Sequence, residues 1–354
     1  MGWCHPGAGK GTCGPLAAGE PVPAVRRRSG RLTGVMSFPI SVVSRRDLLQ
    51  LDAELREVWG IDVGSLEESI WWEELERECS AELVERFREV HRAYVLAEVG
   101  GGCGVGCGGV ESRLAEREFF DLVADASLLG RVHSHRRGVI IDTAALVEDL
   151  IADRQISGAI LEAGCHAGYL SAWWSRHDVL EVVGSDVSGR ALEAGRRTMS
   201  ELGRRVELVE ADLLPERSAG RFELIVAVDV LCEELESGLS GLAKLSGGLV
   251  DGGWLVLSTG HPLDVAWGSI AEVGRRLRAM GLGFVGAGCL GGATFGESFV
   301  VQNVFVLQRG LDRLLPDDCV ERSSRMWPEY VEWAADPGVP IRERSQAWFR
   351  ARGV

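Results

Sequence analysis

No stretch of this sequence approaches the roughly 20 apolar residues that a helix needs to cross a bilayer. Its first residues also lack the apolar core of a secretory signal. The expectation is a cytoplasmic chain with no membrane partner, whose nine cysteines are reduced thiols. Basic charge is scarce: 38 Lys and Arg stand against 52 Asp and Glu, a formal net charge of −14. A nucleic-acid backbone demands a basic face, so nucleic acid is not an expected partner. Metal-ligand spacing is lacking too. Cys103 and Cys107 form a Cys-x3-Cys without a second pair, and His133 and His135 sit among arginines in RVHSHRR, so no metal is expected. No internal repeat is visible.

What is there is ordinary in balance and large enough for a substantial core: 354 residues, 46% hydrophobic and 25% charged. Residues 1–35 are rich in Gly, Pro, Ala and Arg and are expected to be a disordered extension. Within them CHPGAGKGT, from Cys4 to Thr12, looks like a phosphate loop. Such a loop must be launched from a buried strand, and only three residues precede this one, so it reads as tail. From Ser44 to Leu129 the apolar spacing is helical. One stretch ends at Gly60, one begins at Ser65, one runs past Leu83, Phe87, Val90 and Tyr94 to Gly100, and one spans Glu111 to Leu128. A helix from Thr143 to Ala152, capped by Asp142, leads to the stretch around which the chain is organised.

That stretch is ISGAILEAGCHAGYLSAWWSRHDVLEVVGSD, from Ile156 to Asp186. Gly158 to Ala163 is an apolar run of the kind buried on both faces of a parallel sheet. Gly164 and Gly168 then make a turn into a helix, and a second apolar strand ends in Asp186. A strand, a glycine turn and a helix N-terminus bring backbone N–H groups up to a ligand, and an acid at the end of the second strand is placed to hold a ribose. A dinucleotide site would need G-x-G-x-x-G, and the third glycine is missing here. Further strands are predicted at Val206 to Val209, Phe222 to Val228, Trp254 to Ser258, Gly283 to Ala287 and Ser298 to Leu307.

The pattern Glu162-x-Gly164-x-His166-x-Gly168 resembles motif I of the class I S-adenosylmethionine-dependent methyltransferases, E/D-x-G-x-G-x-G, with His166 in place of the central glycine or alanine. Glu210-Ala211-Asp212-Leu213 resembles that family's adenine-binding corner, and Asp251-Gly252-Gly253 is similar to its P-G-G turn. Asp229 to Leu235 resembles its E-V-L-E-H-L stretch, with Glu233 where many relatives carry histidine. The resemblance implies a cofactor, S-adenosylmethionine, held by Glu162, Ala163, Gly164, Cys165, His166, Gly168, Asp186, Val187, Asp212, Leu213 and Asp229. It also implies an α/β fold: a Rossmann-like, mostly parallel seven-stranded sheet with an antiparallel last strand, helices on both faces and an N-terminal helical cap. The expected division is an extension over 1–35, a helical cap over 36–135, the cofactor-binding core over 136–309 and a C-terminal helical extension over 310–354.

The family's NPPY-type stretch, used for flat amino groups, is absent. Together with the acidic charge this favours a small-molecule acceptor. His261, after the fifth strand, is the candidate base, and Glu233 is the candidate group for orienting the acceptor. A cyclase or lyase on the same fold, releasing methylthioadenosine, stays open, as does a non-catalytic cofactor-binding subunit. The aromatics Trp327, Tyr330, Trp333 and Trp348 pack on the core or on a partner subunit, which leaves a homodimer open.

Overall fold

A computed structural model describes residues 36–37, 76–77, 79–100, 110–125, 137–231, 235–259, 270–291 and 301–313. The strands are β1 (Met36–Ser37), β2 (Ala159–Ala163), β3 (Glu181–Asp186), β4 (Glu207–Glu210), β5 (Phe222–Val228), β6 (Leu249–Thr259), β7 (Leu282–Gly291) and β8 (Val301–Arg309). Seven helices accompany them among the described residues: α1 (Ala81–Gly100), α2 (Val110–Asp125), α3 (Arg137–Arg154), α4 (Tyr169–Trp174), α5 (Gly189–Glu201), α6 (Leu235–Gly248) and α7 (Ile270–Ala279).

One sheet holds all the described strands, in the order β1-β7-β8-β6-β5-β2-β3-β4. β2, β3, β4, β5 and β6 pair in parallel, while β8 runs antiparallel to both β6 and β7. The expected mostly parallel sheet with an antiparallel last strand is therefore present. The two-residue β1, beside β7, is an addition that no periodicity announced.

All five residues of β2 are buried, as a central parallel strand covered on both faces must be. Its side chains alternate between two cores. Ile160 joins Leu224, Val226, Val256 and Val306 under Leu150 of α3 and Trp173 and Trp174 of α4. Leu161 joins Ile225, Leu255, Leu257 and Phe305 under Leu239, Leu242 and Leu245 of α6 and Val273 and Leu277 of α7. Truncating Ile160, fully buried, to alanine would cost about 2–5 kcal/mol.

Two expectations need correction. Asp142 is not a cap, because α3 begins at Arg137 and carries Asp142 inside it. The following Thr143 donates its hydroxyl to the Val139 carbonyl at 2.7 Å, so a polar pair that reads as a helix start sits within the helix. The strand predicted from Trp254 in fact starts at Leu249, and Asp251-Gly252-Gly253 lies inside it as an irregularity. Pairing jumps from Phe222 with Leu249 to Leu224 with Trp254, and Gly252 takes a φ of 79° that lets the extra residues loop out.

The expectations for 1–35, for the helices over 44–60 and from Ser65, for Cys103 and Cys107, for His133 and His135, and for 314–354 lie outside the described residues. No helix among the described residues is long and apolar enough to cross a membrane.

Candidate functional site

The carboxyl ends of β2, β3, β4 and β5 lie side by side, the place where open α/β sheets take their ligands. After Ala163 the chain leaves β2 through a turn with three left-handed residues: Gly164 at φ 70°, His166 at φ 54° and Gly168 at φ 76°. Gly168 donates its N–H to the Cys165 carbonyl at 2.7 Å, which closes the turn. Gly164 has a second constraint besides its φ. A Cβ there would stand 2.0 Å from Cγ1 of Val230, in the segment after β5, so the two strand ends meet with no room for a side chain.

His166 takes a left-handed φ of 54°, a conformation histidine tolerates better than most residues. Its ring is buried, edge-on to Phe120 of α2 with the centroids 5.0 Å apart. Burial lowers its pKa from 6.5 to about 3, so the imidazole is neutral. Cys165 is buried beneath the turn and donates its N–H to the Ser185 carbonyl at 2.9 Å. Burial pushes its thiol well above the ordinary range, which makes it a packing residue and not a nucleophile.

Asp186 ends β3 with its carboxylate clamped between two backbone donors: His166 N–H to Oδ2 and Ser188 N–H to Oδ1, both at 2.8 Å. Burial raises its pKa, while N–H groups of Ser188, His166 and Val187 work in the opposite direction. A carboxylate offers about four lone-pair sites. Three N–H groups against about four sites leave the carboxylate spare acceptor capacity, which suits a ribose hydroxyl.

Glu162, also buried, accepts from the N–H and the hydroxyl of Ser171 on α4. Its pKa is raised from 4.5 to about 7 by burial, against the two Ser171 bonds and with help from the nearby Asp186.

The next strand ends complete the set. The Ala211 N–H donates to the Asp186 carbonyl at 2.9 Å, and the Leu213 carbonyl accepts from the Ser185 hydroxyl at 2.5 Å, with Leu213 itself at φ 68°. Asp212 is half-exposed and forms an ion pair with Lys244 of α6 at 3.0 Å. The Asp229 N–H donates to the Ser258 hydroxyl at 2.9 Å, tying the end of β5 to β6. The structure thus gathers Glu162, the Gly164 to Gly168 turn, Asp186 and Val187, with Asp212, Leu213 and Asp229 on the flanking strand ends. Glu233 and His261 lie outside the described residues. Sequence reasoning missed Ser171, Phe120 and Asp121. Ser171 had a signal, since it lies nine residues after Glu162 on the helix that the turn launches.

Residues 160–253 match the family model described as a methyltransferase domain. Among solved structures, the chain is similar to a magnesium protoporphyrin IX methyltransferase from Synechocystis PCC 6803 with bound SAM, at 17% identity over 69% of this chain and 98% of that one, TM-score 0.38. A putative sarcosine dimethylglycine methyltransferase from Galdieria sulphuraria gives 8% identity over 48% and 86%, TM-score 0.40. The [4+2]-cyclase SpnF gives 15% over 48% and 83%, TM-score 0.39. At such values none of the three bears on what this chain acts upon. No curated protein matches the sequence.

Proposed function

We propose, for a chain whose residues 160–253 match a methyltransferase domain, that it is a class I S-adenosylmethionine-dependent enzyme and transfers the methyl group of S-adenosylmethionine to a small organic acceptor. The observation that carries the reading is the Asp186 carboxylate, held by backbone N–H groups at the end of β3 with acceptor capacity to spare. In this reading Asp186 takes the ribose hydroxyls, the Gly164 to Gly168 turn and Glu162 face the methionine end, and Asp212 and Leu213 flank the adenine.

Bound there, S-adenosylmethionine supplies an activated methyl group on a sulfonium. The chain's own contribution is then alignment and charge balance. Asp186 lends negative charge beside a cationic ligand, Glu162 adds to it as pH rises through about 7, and the neutral His166 adds no opposing charge. If the acceptor arrives protonated, His261 removes the proton and Glu233 orients the acceptor. The formal charge of −14 and the packing of α2 against the glycine turn support a small acceptor over a nucleic acid.

Incubation with S-adenosylmethionine and a cell extract, read by mass spectrometry, tests the reaction. A product heavier by one methyl group supports transfer. Release of methylthioadenosine would replace the reading with ring closure, and no consumption of S-adenosylmethionine would leave a cofactor-binding subunit.

A further inference from the structure

Two consecutive residues of α2 each touch one of the two residues that clamp Asp186. Phe120 lies against the ring of His166, whose N–H holds Oδ2 of Asp186. Asp121 accepts the Ser188 hydroxyl at 2.6 Å, and the Ser188 N–H holds Oδ1 of Asp186. Ser188 is fully buried and also caps α5, its hydroxyl oxygen accepting the Ala191 N–H at 3.0 Å. The Asp121 carboxylate therefore receives the one hydroxyl proton and fixes its direction. Around this pair the helix is pinned to the same edge of the sheet. Phe119, Val123 and Ala124 share a core with Ala167 of the turn and Ala191 of α5, Arg117 pairs with Glu210 at the end of β4 at 2.8 Å, and Arg190 pairs with Asp125.

We infer that Asp121 is a positioning residue for Asp186, acting through Ser188, with Phe120 doing the same through His166; this rests on the cofactor reading above. Far outside the glycine motif, α2 sets the direction of the two N–H donors and so the lone pairs that Asp186 presents to a ribose. Asp121 also brings a negative charge near Asp186, which works against ionised Asp186. The two effects predict opposite outcomes, so one pair of variants separates them.

The test is calorimetric binding of S-adenosylhomocysteine to the full chain, together with KM for S-adenosylmethionine and kcat. Asp121→Ala loses the acceptor and the charge, and should weaken binding roughly tenfold, the worth of one hydrogen bond. Asp121→Asn keeps an acceptor and loses the charge, and should bind within about twofold of the parent, an affinity difference of about 0.4 kcal/mol. In Asp121→Ala the loss should appear in KM for the cofactor, with kcat at saturation kept, whereas mere loss of folded protein would lower kcat and leave KM alone. Equal affinity in the parent and both variants, or tighter binding in both, overturns the inference and leaves the cofactor reading standing. Failure of the parent itself to bind S-adenosylhomocysteine overturns both.

Discussion

Ser171 gives both of its donors to a single oxygen of Glu162, the N–H at 2.7 Å and the hydroxyl at 2.5 Å. Those bonds favour the ionised carboxyl, yet burial outweighs them and the pKa rises from 4.5 to about 7. The folded chain therefore holds a proton between pH 4.5 and 7 that the unfolded chain has released. The associated stability is fully present below 4.5 and is lost as pH rises through about 7. Glu162→Gln removes the titration and keeps an acceptor for Ser171. The parent should lose stability relative to Glu162→Gln from pH 5 to pH 8, by at most about 3 kcal/mol. Thermal melts of the two proteins at both pH values check this, and a constant difference would mean that Glu162 titrates normally.

Asp186→Ala should weaken S-adenosylhomocysteine binding by about 1.5–3 kcal/mol, the worth of hydrogen bonds to a charged group. The same change strands the N–H groups of His166 and Ser188, so a modest loss of stability accompanies it. Calorimetry showing parental affinity in a folded variant would remove Asp186 from the site.

Gly164→Ala meets two separate penalties. A left-handed φ of 70° costs a residue with a Cβ about 1–2 kcal/mol, and the collision with Val230 adds about 1–3 kcal/mol of overpacking. Adding Val230→Ala should recover the second part and leave the first. Denaturant melts of the single and double variants measure both. If Val230→Ala recovers nothing, the close approach of the two strand ends is wrong.

His261→Ala should lower turnover by at least about tenfold with cofactor affinity nearly intact, as loss of a general base does. Glu233→Gln should act more on acceptor binding than on the rate at saturation. Parental turnover of His261→Ala from pH 6 to 9 would assign the reaction to an acceptor that needs no base.

Much of the sheet was legible because its strands are continuous apolar runs. Phe222–Val228 was bounded to the residue, having a charged neighbour at each end and few polar side chains between. Local signals failed in two places. Thr143 finds its partner inside α3, and Gly252 and Gly253 loop out of a strand whose flanking residues, Leu249 and Trp254, pair with β5. At the site, the acids and glycines were readable because they follow apolar strands. Their supports were not: Asp121 and Ser188 stand 67 positions apart, and Lys244 meets Asp212 from 32 positions away. Periodicity holds no information on contacts of that range.

A ribosome delivers β8 last of the described strands, yet β8 lies between β6 and β7 and is antiparallel to both. While the chain emerges, β6 and β7 must wait on either side of the place that β8 fills, which no other described strand occupies. The half built from β2 to β5 has its partners in hand much sooner. A chain stopped just before Val301 should keep the parallel pairs but expose the β6 edge, a template for intermolecular pairing. Such a truncation is expected to sediment as aggregate, although every residue of the glycine turn and Asp186 is present in it.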